Sequence, residues 1–325
     1  MIYGAMNFPI RPVLDEIHAI GMLGFDYVEL AMDAPEAHYI SLRNQRDAIH
    51  QALAQFGMSL ICHLPTFIHT ADLTESIRSA SRHELLNSLT VAAELGARKV
   101  VMHPSFIGGM GRNALELSKH YAIECLDAVA HQADKFGVRV CLENLFARLT
   151  PFTTPEDFAI VFEKWPPMAM TLDIGHAFID GHGMDRILAF IQQFGERIQH
   201  VHISDNFGQR DEHLAVGDGA IDFAMLIEAL RQIPYDDTMT LEIFTPDRND
   251  LVRSRNILQE MRGHPILKHE SIGDNDDYCL KIRLMRTWRP RFFVLMCDVR
   301  QLFRSDSLGK LQQFAFVPKW CRQGR

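Results

Sequence analysis

Several features are missing from this sequence, and each absence narrows what the chain can be. Its six cysteines are irregularly spaced and include no Cys-x-x-Cys pair, which leaves neither a disulfide framework nor a zinc knuckle and fits a reducing cytoplasm. No basic stretch followed by an apolar run stands near Met1, and no segment is long and apolar enough to span a bilayer. Neither secretion nor membrane insertion is expected. Positive charge is also in deficit. A formal charge of -8 over 325 residues speaks against a general nucleic-acid binder, although a local basic groove remains compatible with it. Gly4 and its neighbours do not form the phosphate-binding glycine turn that follows the first strand of a doubly wound sheet.

What is present is a large apolar fraction, 47% of residues, enough to fill a sizeable core. One pattern recurs along it. Strands are expected at 2–7, 27–31, 58–63, 99–103, 138–144, 168–173, 198–204 and 239–244. Between and after them helical periodicity runs over 12–23, 42–56, 77–95, a stretch ending near Phe136, 155–164, 184–194, 222–232 and 248–261. Eight strands alternating with eight helices in about 260 residues are the dimensions of a (β/α)8 TIM barrel. The barrel is assigned to residues 1–262.

The strand ends locate the chemistry. Val28 and Leu30 flank Glu29; Leu60 and Cys62 precede His63; Val100 and Met102 precede His103. Val140 and Leu142 precede Glu143, Met170 and Leu172 precede Asp173, and Leu241 and Ile243 flank Glu242. Each time the aliphatics share the face that packs on helices, and the ionisable residue points into the barrel. In the seventh strand, Val201 and Ile203 alternate with His200 and His202 in the same way, and Asp211-x-His213 follows before a Gly217-x-Gly219 turn. Every strand but the first therefore aims a carboxylate or imidazole at one mouth. Uncompensated carboxylates converging there would repel by several kcal/mol, and divalent cations resolve that repulsion. A single His or Glu at a strand end is ordinarily a hydrogen-bonding or salt-bridging residue. Their recurrence on equivalent strand ends, with Asp173-x-x-His176 and Asp211-x-His213 beside them, points to metal ligands. Glu29 has two readings, orienting a substrate or ligand, or pairing with an Arg. His200 lies one layer deeper and reads as structural. His38, His69 and His182 read as solvated loop residues, and the loop through Gly108 and Gly111 as a flexible connection. No lysine stands at an inward strand end, so a Schiff-base route lacks its nucleophile.

In order, His63, His103-Pro104, Glu143-Asn144, Asp173-x-x-His176, His202-x-Ser-Asp205, Asp211-x-His213 and Leu241-Glu242 resemble the xylose-isomerase-like TIM-barrel superfamily, over about residues 1 to 262. The resemblance implies two activities. In the isomerase and epimerase branch, Glu143, Asp173, His202 and Glu242 would hold one Mn²⁺, Mg²⁺ or Co²⁺. Glu143 and Glu242 would then exchange a proton with a sugar or sugar phosphate through an enediolate. In the branch of second-family apurinic-site endonucleases, that quartet would be one part of a three-zinc cluster. There His63 and His103 would share Glu143 on one ion, and His176, Asp211 and His213 would hold another.

The two activities differ in how they grip a substrate. An abasic-site enzyme needs basic and wedge-forming loops. Here the loop after the second strand, Met32 to Glu36, is acidic; Phe67 after the third reads as a wedge or a lid; Arg148 and Arg210 are the basic residues after the fifth and seventh. A small-molecule sugar substrate is therefore the leading expectation, with nucleic acid as partner only under the alternative and a homodimer left open. From Gly263 to Arg325 the sequence changes character, with Arg and Lys outnumbering acids and two of the three tryptophans present. This basic extension reads as poorly ordered; were it to fold over the mouth, Arg286, Arg289 and Arg291 would favour the endonuclease.

Overall fold

The computed structural model describes residues 1–146, 150, 152–233 and 235–263. The expected Arg148, and Arg286, Arg289 and Arg291 with nearly all of the basic extension, lie outside the described residues. The chain forms a closed barrel of eight parallel strands in sequence order. These are β1 (Ile2–Met6), β2 (Tyr27–Ala31), β3 (Ser59–His63), β4 (Lys99–Met102), β5 (Arg139–Glu143), β6 (Ala169–Asp173), β7 (Ile198–Ile203) and β8 (Thr238–Leu241). Around them run α1 (Val13–Met22), α2 (Tyr39–Asn44), α3 (Arg46–Phe56), α4 (Glu75–Glu94), α5 (Leu115–Phe136), α6 (Pro155–Lys164), α7 (Ile174–Phe178), α8 (Gly183–Phe194), α9 (Phe223–Gln232) and α10 (Asn249–Gly263). Among the described residues, no helix is long and apolar enough to cross a membrane.

Strand alternation divides the residues as expected. Val28, Leu30, Val100, Met102, Leu142, Leu172 and Val201 belong to the continuous apolar shell shared with the helices, while Tyr27, Ile61 and Val101 form a separate small cluster inside the barrel. The Tyr27 ring fills the floor so completely that a Cβ on Gly4 would lie 2.2 Å from it. That close approach, and not a phosphate, is the reason for the glycine.

Three local differences from the sequence expectation have physical causes. The single helix expected over 42–56 is two, because the Gln45 side chain turns back to the Ser41 hydroxyl at 2.9 Å and the backbone leaves the helical region at φ -100°. The short helix α7 has no counterpart in the periodicity; it starts because Asp173 caps it, accepting the His176 N–H at 2.6 Å. The loop at Gly108 is a hydrogen-bonded 3-10 turn over Gly109–Asn113 in place of a flexible connection; a Cβ on Gly111 would meet Ile107 and Ser118 at 2.9 Å.

Candidate metal centre

All nine expected ligands converge at the C-terminal ends of the strands, which is where barrel folds carry their chemistry. Glu143 is their hub. Its Oε2 lies 3.1 Å from His63 Nε2 and 3.2 Å from His103 Nε2, its Oε1 3.0 Å from His176 Nδ1. His202 Nδ1 stands 3.6 Å from Glu143, 3.6 Å from Asp173 and 3.0 Å from Glu242. Farther out, Asp211 Oδ2 sits between His176 Nε2 at 3.2 Å and His213 Nε2 at 3.0 Å. Two of these groupings, His63 with His103 and Glu143, and Glu143 with Asp173 and His202, bring one donor atom per residue within 4.8 Å of each other. The third is held together through Asp211.

The chemistry of the donor set tests whether a cation fits. His63 gives its Nδ1–H to the Leu64 carbonyl at 2.8 Å, and His213 gives its own to the Glu242 carbonyl at 2.8 Å. A carbonyl only accepts, so in the neutral imidazole the other nitrogen of each ring is a bare lone pair. Those bare nitrogens face carboxylate oxygens of Glu143 and Asp211. Acceptor against acceptor at 3 Å requires a cation between them, either a proton or a metal ion. Without an ion, protons take the place. Burial alone would depress His63, but the hydrogen bond and charge of Glu143 outweigh it and raise the ring to about 9. His213 rises to about 9 as Asp211 outweighs burial. His176 and His202 are lifted well above the usual range against burial, the first by Asp173 and Asp211, the second by Glu242 and Glu29. His103 goes the other way, lowered by burial that Glu143 does not offset. Among the carboxylates, burial drives Glu242 up to about 7, with Asp173 and Glu143 adding to it against His202. Burial of Glu143 is overcome by His103 and His202, which hold it well below its ordinary value. Buried atoms of His103 (Nδ1), His202 (Nδ1), Glu143 (Oε1) and Asp211 (Oδ1) are left without a hydrogen-bond partner. Buried polar atoms left unpaired among close imidazoles and carboxylates fit divalent ions.

Several supporting residues carry no periodic signal. The Asp205 carboxylate accepts four backbone N–H groups, from Asn206 at 2.9 Å, Gly217 at 3.0 Å, Gly219 at 2.8 Å and Ile221 at 3.1 Å, and a Cβ on Gly219 would lie 2.3 Å from it. This clamp shapes the loop that delivers Asp211 and His213, the latter in the left-handed region at φ +48°. Asn144 ties β5 to β6 by paired bonds with the Asp173 backbone at 2.8 and 2.9 Å. Among the described residues Glu29 pairs with no Arg: its two oxygens reach His200 at 2.8 Å and His202 at 3.0 Å, which leaves the orienting reading. His200 is fully buried below the site, as expected of a structural residue, and burial lowers it to about 4. His38 is not simply solvated, since it caps α2 and lies 2.8 Å from Glu84.

Above the donors opens a cavity of about 650 Å³, rimmed by Phe8, Phe67, Phe106, Phe146 and Phe244 with Asp33 and Glu84 at its edge. Phe67 is 75% exposed and leans on Phe106 at 5.9 Å, which suits a lid. Arg210 is exposed and is not part of the lining.

The profile of xylose isomerase-like TIM barrel proteins matches residues 17–262. A probable endonuclease 4 of Mycobacterium leprae is 26% identical over 227 residues, spanning 67% of this chain and 85% of its own. Among solved structures, a D-tagatose 3-epimerase-like protein superposes with a TM-score of 0.71 at 25% identity, covering 80% of this chain and 97% of its own. A Thermus thermophilus protein soaked with zinc chloride superposes at 0.64 with 27% identity, covering 81% and 98%.

Proposed function

The chain belongs to the xylose isomerase-like TIM barrel family, and from that premise we propose that it is a divalent-metal-dependent sugar isomerase or epimerase. The observation that carries the reading is the pair Glu143 and Glu242. Both are buried and both approach His202 Nδ1, Glu143 at 3.6 Å and Glu242 at 3.0 Å. Two carboxyl groups beside one ligand can divide the work of base and acid. Glu143, Asp173, His202 and Glu242 would hold the ion, a mostly oxygen set suited to Mn²⁺, Mg²⁺ or Co²⁺. A divalent ion bound there polarises a ketose carbonyl and its neighbouring hydroxyl, and so acidifies the C–H between them. One glutamate then removes that proton and the other returns one. The aromatic rim offers flat apolar faces to a sugar ring, and a cavity of about 650 Å³ is of small-molecule size. Likeness to a D-tagatose 3-epimerase-like protein supports a ketose as the substrate class.

A second reading, a zinc-dependent apurinic-site endonuclease with up to three ions, is favoured by one specific observation: the outer group His176, Asp211 and His213 is complete. The endonuclease 4 relative and the zinc-soaked neighbour support it. Asp33 and Glu84 at the rim weigh against it, because acids at the mouth repel a phosphodiester backbone. Elemental analysis of protein purified without chelators separates the readings. About one exchangeable Mn, Mg or Co per chain, with turnover on a ketose panel, is expected. Close to three zinc ions per chain with nicking of abasic DNA would overturn the isomerase in favour of the nuclease, and failure to take up any ion would overturn both.

A further inference from the structure

Below the metal centre, a line of buried polar groups runs through the whole barrel to the opposite end. It starts at Lys99, the first residue of β4, whose Nζ reaches Asp237 Oδ1 at 2.9 Å, Thr238 Oγ1 at 2.9 Å and the Gln199 carbonyl. It continues from Thr238 Oγ1 to His200 Nδ1 at 2.7 Å, from His200 Nε2 to Glu29 Oε2 at 2.8 Å, and from Glu29 Oε1 to His202 Nε2 at 3.0 Å.

The direction of every bond in this line follows from its two charged members, Lys99 and Glu29. An ammonium only donates, so Thr238 Oγ1 accepts from Lys99. The single hydroxyl proton of Thr238 can go to His200 Nδ1 at 2.7 Å or to the Gln199 carbonyl at 3.3 Å. The Glu29 carboxylate only accepts, so His200 carries its proton on Nε2 and donates it there, and its Nδ1 is the acceptor for the nearer Thr238 hydroxyl. A carboxylate has nothing to give back, so His202 must likewise carry its proton on Nε2. Its Nδ1 lone pair is thereby left bare, and that is the atom which lacks a hydrogen-bond partner and points at Glu242, Glu143 and Asp173. Thr240 reinforces the same order. Its hydroxyl donates to Glu29 and accepts from Tyr27 at 2.7 Å, so the donors in the cluster are aimed at the one carboxylate. Glu29, His200 and His202 are 0% exposed, so solvent cannot stand in for any of them.

We propose that Glu29 is a positioning residue that fixes the tautomer of His202, so that Nδ1 is always presented to the ion, and that His200 and Thr238, anchored by Lys99, hold Glu29 in place. The proposal rests on the metal reading above. It assigns Glu29 to the centre without making it a ligand.

The test is metal affinity in the full chain, measured for Zn²⁺ and Co²⁺ by competition with a chelator. The visible spectrum of the Co²⁺ form and the thermal midpoint of the chelated protein are recorded in parallel. Glu29→Gln is expected to weaken the ion at His202 by about 10- to 100-fold, the usual effect of altering the partner of a ligating histidine, and to shift the Co²⁺ bands. Thr238→Val, which cannot donate to His200, is expected to move affinity in the same direction, and Thr238→Ser to retain wild-type affinity and spectrum. The Thr238 pair decides the matter if Glu29→Gln does not fold. Variants that fold with wild-type affinity and an unchanged Co²⁺ spectrum would overturn the relay alone. Loss of one whole ion from the wild-type count on changing Glu29 would also overturn it, by showing that Glu29, His200 and His202 are themselves a metal site. A wild type that takes up neither ion would overturn the metal reading and the relay together.

Discussion

Glu242 and Glu143 both lie within 3.6 Å of His202 Nδ1, yet each is stabilised in a different protonation state. Replacing Glu242 by Gln keeps the shape and removes the proton acceptor, so turnover on the responsive ketose should fall by about 10²- to 10⁴-fold. Steady-state kinetics read beside metal content separate lost proton transfer from a lost ion. The same groups make the chelated protein sensitive to pH. Glu242 near 7 and His63 and His213 near 9 all bind protons more tightly when folded than when unfolded. Each therefore contributes stability that is full below its unfolded value, about 4.5 for Glu and 6.5 for His, and is lost as pH rises through the folded one. Below about pH 6.5 the depressed His103 and His200 oppose Glu242, so metal-stripped protein should lose stability from about pH 6.5 to pH 9, and added ion should raise the thermal midpoint more at pH 9 than at pH 6.5. A midpoint that climbs between pH 6.5 and pH 9 in the stripped protein would contradict the assigned directions. At this scale the clustered donors are legible in the sequence, because an ionisable residue at an inward strand position, with aliphatics flanking it, breaks an otherwise apolar run. The work of Glu29 is not, since it depends on β2 reaching β7 across the barrel and no spacing along the chain records that.

Among the elements, the loop after β7 depends most on a single side chain. Asp205 satisfies four amides spread over residues 206–221, and without it those donors are left in a crowded turn where a Cβ at Gly219 would not fit. Asp205→Ala should cost roughly 3 kcal/mol or more in urea unfolding. It should also lower the ion count if the outer group is loaded, because Asp211 and His213 ride on that turn. A variant with wild-type stability would show that the clamp is dispensable. The strands and long helices can be read from periodicity, and so can the Gly217-x-Gly219 turn. The clamp cannot, nor can the left-handed His213 or the capping of α7 by Asp173, because side-chain to backbone bonds that shape loops leave no repeat in the sequence.

For the whole molecule, the donors come from every strand except β1 and β2 or from the loops that follow them, so bound ions would tie most of the barrel's circumference together at one end. Saturating metal at about a thousandfold above its Kd adds roughly 4 kcal/mol to a fold that binds it only when native. Chelation should lower the thermal midpoint by several degrees, and scanning calorimetry before and after readdition of metal checks this. An unchanged midpoint would mean that the donors are satisfied without an ion. The same architecture separates two kinds of part. His63, Glu143, Asp173 and His202 sit on strands, while Phe8, Phe67, Phe106, Phe146 and Phe244 each belong to a different loop. A library that substitutes those five aromatic side chains one at a time, leaving in place His103 and Glu242, which share loops with Phe106 and Phe244, would vary what enters the mouth while the donors are kept, so in this barrel selectivity can be bred or evolved apart from reactivity.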